Sequence, residues 1–348
     1  MNEKTIQFDP NGPGIKGNLF GLPFSLEQSE LVIVPVPWEV TVSQRTGTAR
    51  APRAILDASA QIDLFSKSIS EVWKLGIAML PFPDRLLDES DQLRPLAAQH
   101  IRSMEMGAPE GHDNIIATKV NAACENMDSY VKNTTEKLLR ENKMVGILGG
   151  DHSTPLGFLR ALNERHDRFG VLQIDAHADL RRRYEGFSCS HASIMYNVLK
   201  LPAVERLIQV GVRDYCEEES QVIHRSLGRV KTFFDQDIKG ALFDGKTWER
   251  ICNEIVKELP DQVYISFDID GLDPKLCPNT GTPVPGGFEF DQIRFLISQL
   301  IRSGKKIIGF DLNEVSGENL WDAQVGARML FELCLAMAVS QGKLKSSV

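Results

Sequence analysis

From Leu31 onward, the chain alternates short, almost wholly apolar runs with longer amphipathic or charged stretches. Seven of these runs have the length and composition of strands buried on both faces, and they span residues 31–36, 74–80, 144–148, 169–175, 206–212, 263–270 and 306–312. The intervening stretches predict helices near residues 115–142, 154–166, 191–200, 217–227, 247–259, 289–303 and 321–341. Such alternation favours parallel strands joined by crossover helices.

The predicted fold class is therefore α/β, a three-layer α/β/α arrangement around a mostly parallel central sheet. Residues 1–30 are rich in glycine, proline and polar side chains, which predicts an irregular N-terminal arm. Residues 31–348 are expected to form a single α/β domain, because no repeat or low-complexity tract interrupts them. Within that domain, residues 84–113 are polar and match no element, which is consistent with a surface insertion.

The composition narrows the classes of function. The 348 residues are 42% apolar with a net charge of −8, so the chain has no basic footprint for nucleic acid or an anionic membrane. A cationic substrate is compatible with this charge. The six cysteines are scattered without a C-x-x-C pair, which favours a reduced, cytoplasmic setting. With no secretory signal pattern and no bilayer-length apolar run, a soluble intracellular protein is expected.

The most informative motif is a D-x-H-x-D pattern formed by Asp175, His177 and Asp179, directly after an apolar run. In an extended backbone, alternate side chains point the same way, so the three groups would face one point. Two acids around an imidazole suit a divalent cation better than a buried core. The pattern alone arises by chance in roughly one chain in thirty of this size, so further ligands are needed.

Two other strand-like runs also end in metal-binding groups. Asp268 and Asp270 close the run 263–270, and Asp151-His152 follows the run 144–148. Taken alone, His152 could belong to a helix cap, and the two aspartates could form a turn. However, ligands of parallel α/β sheets bind at the carboxyl ends of the strands, which is where all three groups fall. Their recurrence favours a metal site.

The motifs at 149–153, 175–179 and 266–274 occur in the order and at the separations that resemble the ureohydrolase family of arginases and agmatinases. The resemblance spans roughly residues 31–340 and implies an arginase-like fold. The stretch 281–287 is similar to the agmatinase branch in particular, and residues 45–52 resemble the family's early glycine-rich loop. The chain departs from the family at Ala51, Ala192, Ser193, Asn313 and Gly317, which indicates a divergent subgroup.

The resemblance implies two Mn²⁺ ions held by six side chains. One ion would bind His152, Asp175, Asp179 and Asp268, and the other would bind His177, Asp175, Asp268 and Asp270. Zinc favours thiolate-rich or closed tetrahedral sites, whereas a set of carboxylates and imidazoles suits Mn²⁺. Such a set also accepts Ni²⁺ or Co²⁺. Such a pair activates water for attack on a guanidinium carbon.

Three side chains have catalytic roles by the same resemblance. Asp179 would carry a proton from the nucleophile to the departing amine, and His191 matches the family's proton-shuttle histidine. Glu314 matches the glutamate that binds the guanidinium through a bidentate, charge-assisted contact. The sequence after His191 reads as the start of a helix instead of the family's usual turn, so the pocket wall there is expected to differ.

The favoured function is hydrolysis of agmatine to urea and an amine. The same chemistry on free guanidine, with nickel, is an alternative. A small pocket would favour guanidine, and its wall is expected to include Trp38, Thr41 and the 189–195 loop with Cys189. A guanidino acid such as 4-guanidinobutyrate is another alternative substrate. Its carboxylate would bind one of the arginines 181–183 if that arginine points into the pocket instead of into solvent. A non-catalytic homologue that binds a guanidino ligand or regulates a partner is a rival of a different class.

The resemblance also implies a homotrimer or homohexamer. No nucleic-acid or membrane partner is expected. A nucleotide-dependent oxidoreductase is disfavoured, because no G-x-G-x-x-G follows the first strand.

Overall fold

Eight strands form one sheet in the computed structural model, which describes residues 8–107 and 114–346. Every neighbouring pair of these strands is parallel. The strands are β1 (Leu31–Val36), β2 (Ile77–Met79), β3 (Met144–Gly149), β4 (Phe169–Ile174), β5 (Val204–Val210), β6 (Val230–Phe233), β7 (Gln262–Asp268) and β8 (Lys306–Asn313).

The strand order across the sheet is β2-β1-β3-β8-β7-β4-β5-β6. The chain places β3 and β4 apart and later returns to insert β7 and β8 between them. The four central strands are therefore β3, β8, β7 and β4. Because all of them run in the same direction, their carboxyl ends meet at the middle of one edge of the sheet, where α/β proteins bind their ligands.

Ten helices connect the described strands. They are α1 (Ala51–Ser59), α2 (Asp84–Glu105), α3 (Asn114–Arg140), α4 (Leu156–Arg165), α5 (Ile194–Val198), α6 (Glu217–Arg225), α7 (Asp235–Phe243), α8 (Trp248–Lys257), α9 (Phe290–Arg302) and α10 (Leu320–Ser340). The apolar faces of α1 and α7–α10 pack into one cluster on the sheet, and those of α2–α6 pack into a second. The two clusters cover opposite faces, which confirms the predicted three-layer α/β/α class.

The seven predicted strands are present, with ends that differ by a few residues. The run 74–80 contains a short 3-10 helix, Val72–Leu75, before β2. Strand β6 and the helices α1 and α7 were not predicted. β6 has only four residues and one buried side chain, so it lies at the sheet edge without an apolar run.

The prediction of a surface insertion at residues 84–113 is wrong for residues 84–105, which form α2. This helix buries a narrow stripe, Leu86, Leu93, Ala97 and Ile101, and exposes many charged side chains on the rest of its surface. Because most side chains of this helix are polar or charged, the helical spacing of its few apolar residues is not evident from the sequence. Residues 108–113 lie outside the described part of the chain.

Helix α10 has the length and mean hydropathy, 1.3, that would allow it to span a bilayer, but 72% of its most apolar window is buried inside the protein. It is packed as a core helix. The described part of the N-terminal arm docks on the same side, where Phe20 meets Phe331 of α10 with ring centroids 4.9 Å apart. The division into an arm at 1–30 and a single domain at 31–348 stays a prediction.

Candidate metal centre

The predicted metal ligands follow three of the four central strands. The register pairs Ile174 of β4 with Phe267 of β7, so Asp175 and Asp268 come next at the same level of the sheet. His152 follows β3, and Glu314 follows β8 directly. Parallel register thus brings together side chains that are far apart in the sequence.

His152 lies at the centre of the first cluster. Its Nδ1 atom is 3.1 Å from Asp175 Oδ2, 3.0 Å from Asp179 Oδ2 and 3.2 Å from Asp268 Oδ2. All four side chains are buried. Despite these short distances, Nδ1 makes no hydrogen bond of acceptable geometry with any described residue. A buried nitrogen that faces three carboxylate oxygens without bonding to them has the environment of a metal ligand.

His177 lies in a second cluster that adjoins the first. Its Nδ1 atom is 3.0 Å from Asp270 Oδ2 and 3.6 Å from Asp175 Oδ1. Asp175 therefore presents one oxygen to each histidine and belongs to both clusters. Asp268 is linked to Asp270 because its Oδ1 accepts the backbone N–H of Asp270 at 2.9 Å. The structure thus brings the six predicted ligands together.

The electrostatics of the cluster reflect crowded negative charge. Burial raises the pKa of Asp268 well above its usual value, and the Asp270 and Asp175 carboxylates raise it further. Burial and Asp175 also raise the pKa of Asp179 to about 7. Burial on its own would lower the pKa of His152, but Asp175, Asp179 and Asp268 raise it well above the usual value. Cations among these oxygens would relieve the repulsion.

The donor set fits divalent cations. Four carboxylates and two imidazoles, without a thiolate, form the two adjoining clusters. Two divalent cations would bring four positive charges to four negative ones, which removes the cost of burying unpaired carboxylates. Oxygen and imidazole donors favour Mn²⁺ and are also compatible with Ni²⁺ or Co²⁺.

Two of the predicted site residues have unusual backbone conformations. Asp179 and Glu314 have φ values of 54° and 63°, in the left-handed region that residues other than glycine rarely adopt. Such strain is typical of sites where the surrounding structure fixes a functional side chain. The carbonyl of Asp179 also accepts the N–H groups of Met195 and Tyr196, which ties this residue to the start of α5.

A ladder of buried amides supports Asp175 and was not predicted. Gln173 Nε2 donates to Asp175 Oδ2, Gln209 Nε2 donates to Gln173 Oε1, and Thr232 Oγ1 donates to Gln209 Oε1, each at 2.7 Å. The ladder crosses β4, β5 and β6 at paired register positions. A glutamine inside each of two otherwise apolar runs was the available signal in the sequence.

A pocket of about 190 Å³ opens onto the cluster. Three of the predicted site residues, His177, Asp179 and His191, lie in its wall. Among the other lining residues is Arg181, which the sequence indicates as a possible contact for an acidic substrate. The other lining residues are Ser43, Gln44, Arg181, Tyr184, Ala192, Asp214, Tyr215, Glu219, Thr282, Pro283 and Val284. The agmatinase-like stretch 281–287 therefore contributes directly to this pocket.

Glu314 is not among the residues that line this pocket, but it lies next to Gly281, which precedes the lining residue Thr282. Its Oε1 atom accepts the backbone N–H of His152 at 2.8 Å, and its backbone carbonyl accepts Thr280 Oγ1 at 2.7 Å. Its Oε2 atom lies 3.1 Å from the point where a Cβ of Gly281 would be, so this glycine keeps space free next to the carboxylate. Burial, together with the charge of Asp151, raises the pKa of Glu314 well above its usual value.

His191 lies in the wall of the pocket. Its backbone N–H donates to Thr41 Oγ1 at 3.3 Å, and its ring meets Tyr184 edge-on. Burial, followed by the charges of His177 and His152, lowers the pKa of His191 to about 3, so the imidazole is neutral at neutral pH. A 3-10 helix, His191–Ser193, leads into α5, which confirms the predicted helix start.

Three predicted wall residues, Trp38, Thr41 and Cys189, do not line the pocket, and Thr41 is fully buried with its Oγ1 accepting the backbone N–H of His191. Trp38 is fully buried, with its carbonyl accepting the backbone N–H of Asp151. Cys189 is buried on the far side of its loop, where its thiol donates to Glu125 Oε1 at 3.3 Å. Ser43 and Gln44 contribute to the wall instead. The sequence shows that a side chain is apolar but not which wall of the fold it packs against.

Comparisons with known proteins agree with this geometry. The sequence pattern of the Arginase family matches residues 29–338. The chain is 30% identical to a Thermus thermophilus protein named N(1)-aminopropylagmatine ureohydrolase, over 87% of this chain and 88% of that protein. It is 29% identical to an agmatinase of Halalkalibacterium halodurans, over 83% and 85% of the two chains. The crystal structure of the agmatine ureohydrolase of Thermoplasma volcanium shares the fold, with a TM-score of 0.70, 24% identity and 94% coverage of both chains.

Proposed function

The chain belongs to the arginase family, and from this premise we propose that it is a two-cation hydrolase that cleaves agmatine into urea and a diamine. The observation that supports this most strongly is the pair of buried histidine and carboxylate clusters that share Asp175. The names of two relatives, an aminopropylagmatine ureohydrolase and an agmatinase, support the guanidino C–N bond as the target.

Six side chains would hold the cations. His152 and Asp179 would bind one ion, His177 and Asp270 the other, and Asp175 and Asp268 would contact both. Mn²⁺ is the favoured metal for this donor set. When bound, the two cations would supply a Lewis-acidic site that makes water a competent nucleophile at neutral pH.

Asp179 and His191 would move protons. The Asp179 carboxyl lies in the pocket wall beside the proposed cations, where one of its oxygens could hold a proton. Asp179 would take the proton of the attacking water and pass it to the amine nitrogen as the C–N bond breaks. His191, which also lines the pocket, would relay protons between this region and solvent by accepting on one ring nitrogen and donating from the other.

Glu314 would bind the guanidinium. Its Oε1 atom is already engaged by the backbone of His152, whereas Oε2 faces the space that Gly281 leaves empty. A guanidinium N–H there would donate a charge-assisted hydrogen bond to Oε2. This contact would fix the guanidinium carbon beside the metal ligands and pay part of the cost of burying the positive group.

The pocket mouth supports a cationic tail. The exposed carboxylate of Asp214 lines the pocket together with Tyr215 and Tyr184, and aromatic faces with an acid attract an ammonium group. Arg181 also lines the mouth, but its guanidinium is 3.9 Å from Glu219 and stacks 4.6 Å from the Tyr184 ring centroid. Its charge is thereby offset. Agmatine, with an ammonium at its far end, matches this mouth better than a guanidino acid.

A guanidino acid such as 4-guanidinobutyrate is the second candidate, because Arg181 does line the pocket. Arg181 would have to leave Glu219 to bind a carboxylate. Arg182, by contrast, is exposed and outside the pocket wall. Free guanidine has no tail and would need no contact with the pocket mouth. Substitutions at the mouth therefore distinguish the three classes of substrate.

The test measures urea release by protein loaded with Mn²⁺ or, in parallel, with Ni²⁺. The substrates are agmatine, aminopropylagmatine, arginine, 4-guanidinobutyrate and guanidine. We expect agmatine to have the highest kcat/KM. A higher value for an acid or for guanidine would contradict the substrate assignment. No urea from any substrate would contradict the enzymatic function and leave the non-catalytic homologue as the better account.

Three variants sharpen this test. Asp214→Asn is expected to raise KM for agmatine while leaving guanidine hydrolysis unchanged. Arg181→Gln is expected to leave agmatine hydrolysis within about threefold of wild type, since mouth charge pairs of this exposure contribute about 0–1 kcal/mol. Arg182→Gln, next to it but outside the wall, is the matched control for both.

A further inference from the structure

The second ring nitrogen of His152 faces a buried hydrogen-bond chain. Its Nε2 atom lies 2.9 Å from Ser266 Oγ, and Ser266 Oγ lies 3.1 Å from Asp311 Oδ1. All three side chains are buried, on the sheet side of the first cluster. The Ser266 hydroxyl has one proton, so it donates to one neighbour and accepts from the other.

The contacts of Asp311 decide the direction of this chain. Its Oδ1 atom also accepts the backbone N–H of Phe267 at 3.2 Å and the side-chain amide of Asn313 at 2.6 Å. An oxygen that faces two N–H donors is an acceptor, so the Ser266 hydroxyl points its proton at Asp311. The remaining lone pair of Ser266 faces His152, and it can be used only if Nε2 bears a hydrogen.

This direction determines the protonation of the imidazole. With hydrogen on Nε2, the neutral ring of His152 has its lone pair on Nδ1. That nitrogen is the one that lies 3.0–3.2 Å from the oxygens of Asp175, Asp179 and Asp268. A lone pair aimed at three carboxylates is repulsive unless a proton or a metal cation lies between them, so a metal ion that binds there would replace the proton on Nδ1.

We propose that Asp311, acting through Ser266, is a positioning residue that holds His152 in the Nε2–H tautomer and so sets the affinity of the cation bound there. This rests on the two-cation site of the proposed function. Asn313 extends the chain: its Oδ1 atom accepts Thr154 Oγ1 at 2.7 Å, close to the backbone of His152. Ring and backbone of this ligand are therefore held by the same network.

Among the residues that the structure describes, none gives the other histidine comparable support. The Nε2 atom of His177 is 3.9 Å from Asp214, an exposed carboxylate in the pocket wall. The effect of Ser266 and Asp311 should therefore be selective for one of the two ions. General loss of structure would instead weaken both ions, which makes selectivity the diagnostic readout.

The test uses two variants of the same shape, Ser266→Thr and Ser266→Val, which differ by one hydroxyl. Mn²⁺ is titrated into metal-free protein, and free ion is followed by electron paramagnetic resonance. We expect two ions in wild type and in Ser266→Thr. In Ser266→Val we expect one of the two to bind roughly 10- to 100-fold more weakly, the usual effect of losing such a support. Ser266→Val also loses two buried hydrogen bonds, so its metal-free form should unfold at a lower midpoint than Ser266→Thr, and unchanged affinity for the second ion is the check that it is folded.

Asp311→Asn gives a second, independent check. The N–H groups of Phe267 and Asn313 hold its amide oxygen at the position of Oδ1, so the Ser266 hydroxyl keeps its direction but donates to a neutral acceptor. We expect the same ion to bind more weakly than in wild type, but by less than in Ser266→Val. Equal affinities for Thr and Val variants, or equal weakening of both ions, would overturn the proposal. Wild type that binds two ions but releases no urea would overturn only the proposed function, whereas fewer than two ions in wild type would overturn both.

Discussion

The backbone N–H of His152 donates a hydrogen bond of 2.8 Å to Oε1 of Glu314. The contact is reciprocated nearby, because the backbone N–H of Glu314 donates to the carbonyl of Gly150, also at 2.8 Å. The ends of β3 and β8 therefore hold each other. One of these ends supplies a proposed metal ligand and the other the proposed guanidinium acceptor, so substrate and metal sites share a single rigid support.

Glu314→Gln separates these two roles. The amide oxygen can still accept from the His152 backbone, but the negative charge is lost. A hydrogen bond to a charged group contributes about 1.5–3 kcal/mol, so we expect kcat/KM for agmatine to fall roughly 10- to 150-fold. Metal content, measured by elemental analysis of the dialysed protein, should stay at the wild-type value. Unchanged kinetics would remove Glu314 from the substrate site.

Gly281→Ala tests the space beside Glu314. A Cβ would lie 3.1 Å from Oε2, where the guanidinium is proposed to bind, and the backbone of Gly281 itself allows alanine. Overpacking of this kind costs about 1–3 kcal/mol, which we expect to appear as a higher KM. Gly240→Ala is the matched control, because its Cβ would meet nothing within 4 Å. A KM that is the same in both variants would argue against binding at this position.

Metal loading should stabilise the fold. Four buried carboxylates repel one another in the metal-free protein, and binding to the folded state alone adds about 2.7 kcal/mol per site at 100 times Kd. We expect Mn²⁺ to raise the unfolding midpoint and EDTA to reverse this. In Asp268→Asn, most of this rise in the unfolding midpoint should be lost. Asp214 lies at the pocket mouth and outside the two clusters, so Asp214→Asn should keep the rise. A shift that survives in Asp268→Asn would place the bound ions elsewhere.

Glu185 gives a pH dependence that does not involve the metal site. Burial and the charge of Glu105 raise the pKa of Glu185 from 4.5 to about 7, although Arg94 and Arg181 lower it. Its contribution to stability is complete below pH 4.5 and is lost as the pH rises through about 7, because the folded state favours the proton. We expect Glu185→Gln to gain on the order of 1 kcal/mol over wild type at pH 8, after discounting for solvent, and nothing at pH 4.5.

The measurement for Glu185 is denaturant unfolding of metal-free protein at several pH values. Glu141→Gln, at an exposed position, is the control and should follow wild type throughout. A difference between Glu185→Gln and wild type that does not change with pH would rule out this titration as its source.

The metal cluster could be predicted from the sequence because each ligand follows a strand of a parallel sheet. Asp175 and Asp268 end apolar runs, and parallel strands bring their carboxyl ends together whatever the sequence separation. The supporting residues could not be found in this way. Ser266, Asp311 and Gln209 act across neighbouring strands, and nothing in one sequence shows which strands become neighbours.

The pocket wall was the least predictable part for a similar reason. Trp38 and Cys189 are close in sequence to residues that contact the site, yet the loops turn both of them inward. Local patterns specify the period of a helix or strand but not the path of an irregular loop. The residues that we propose bind the substrate's tail, such as Asp214 and Tyr215, are therefore visible only in the structure.

The central claim is that two cations occupy the clusters of His152 and His177. The most direct measurement is anomalous scattering from crystals grown with Mn²⁺. We predict two peaks roughly 3.5–4 Å apart, one beside His152 and Asp179 and one beside His177 and Asp270, with Asp175 and Asp268 in contact with both. A single peak, or peaks at another acidic group such as Glu125, Asp128 and Cys189, would contradict the account.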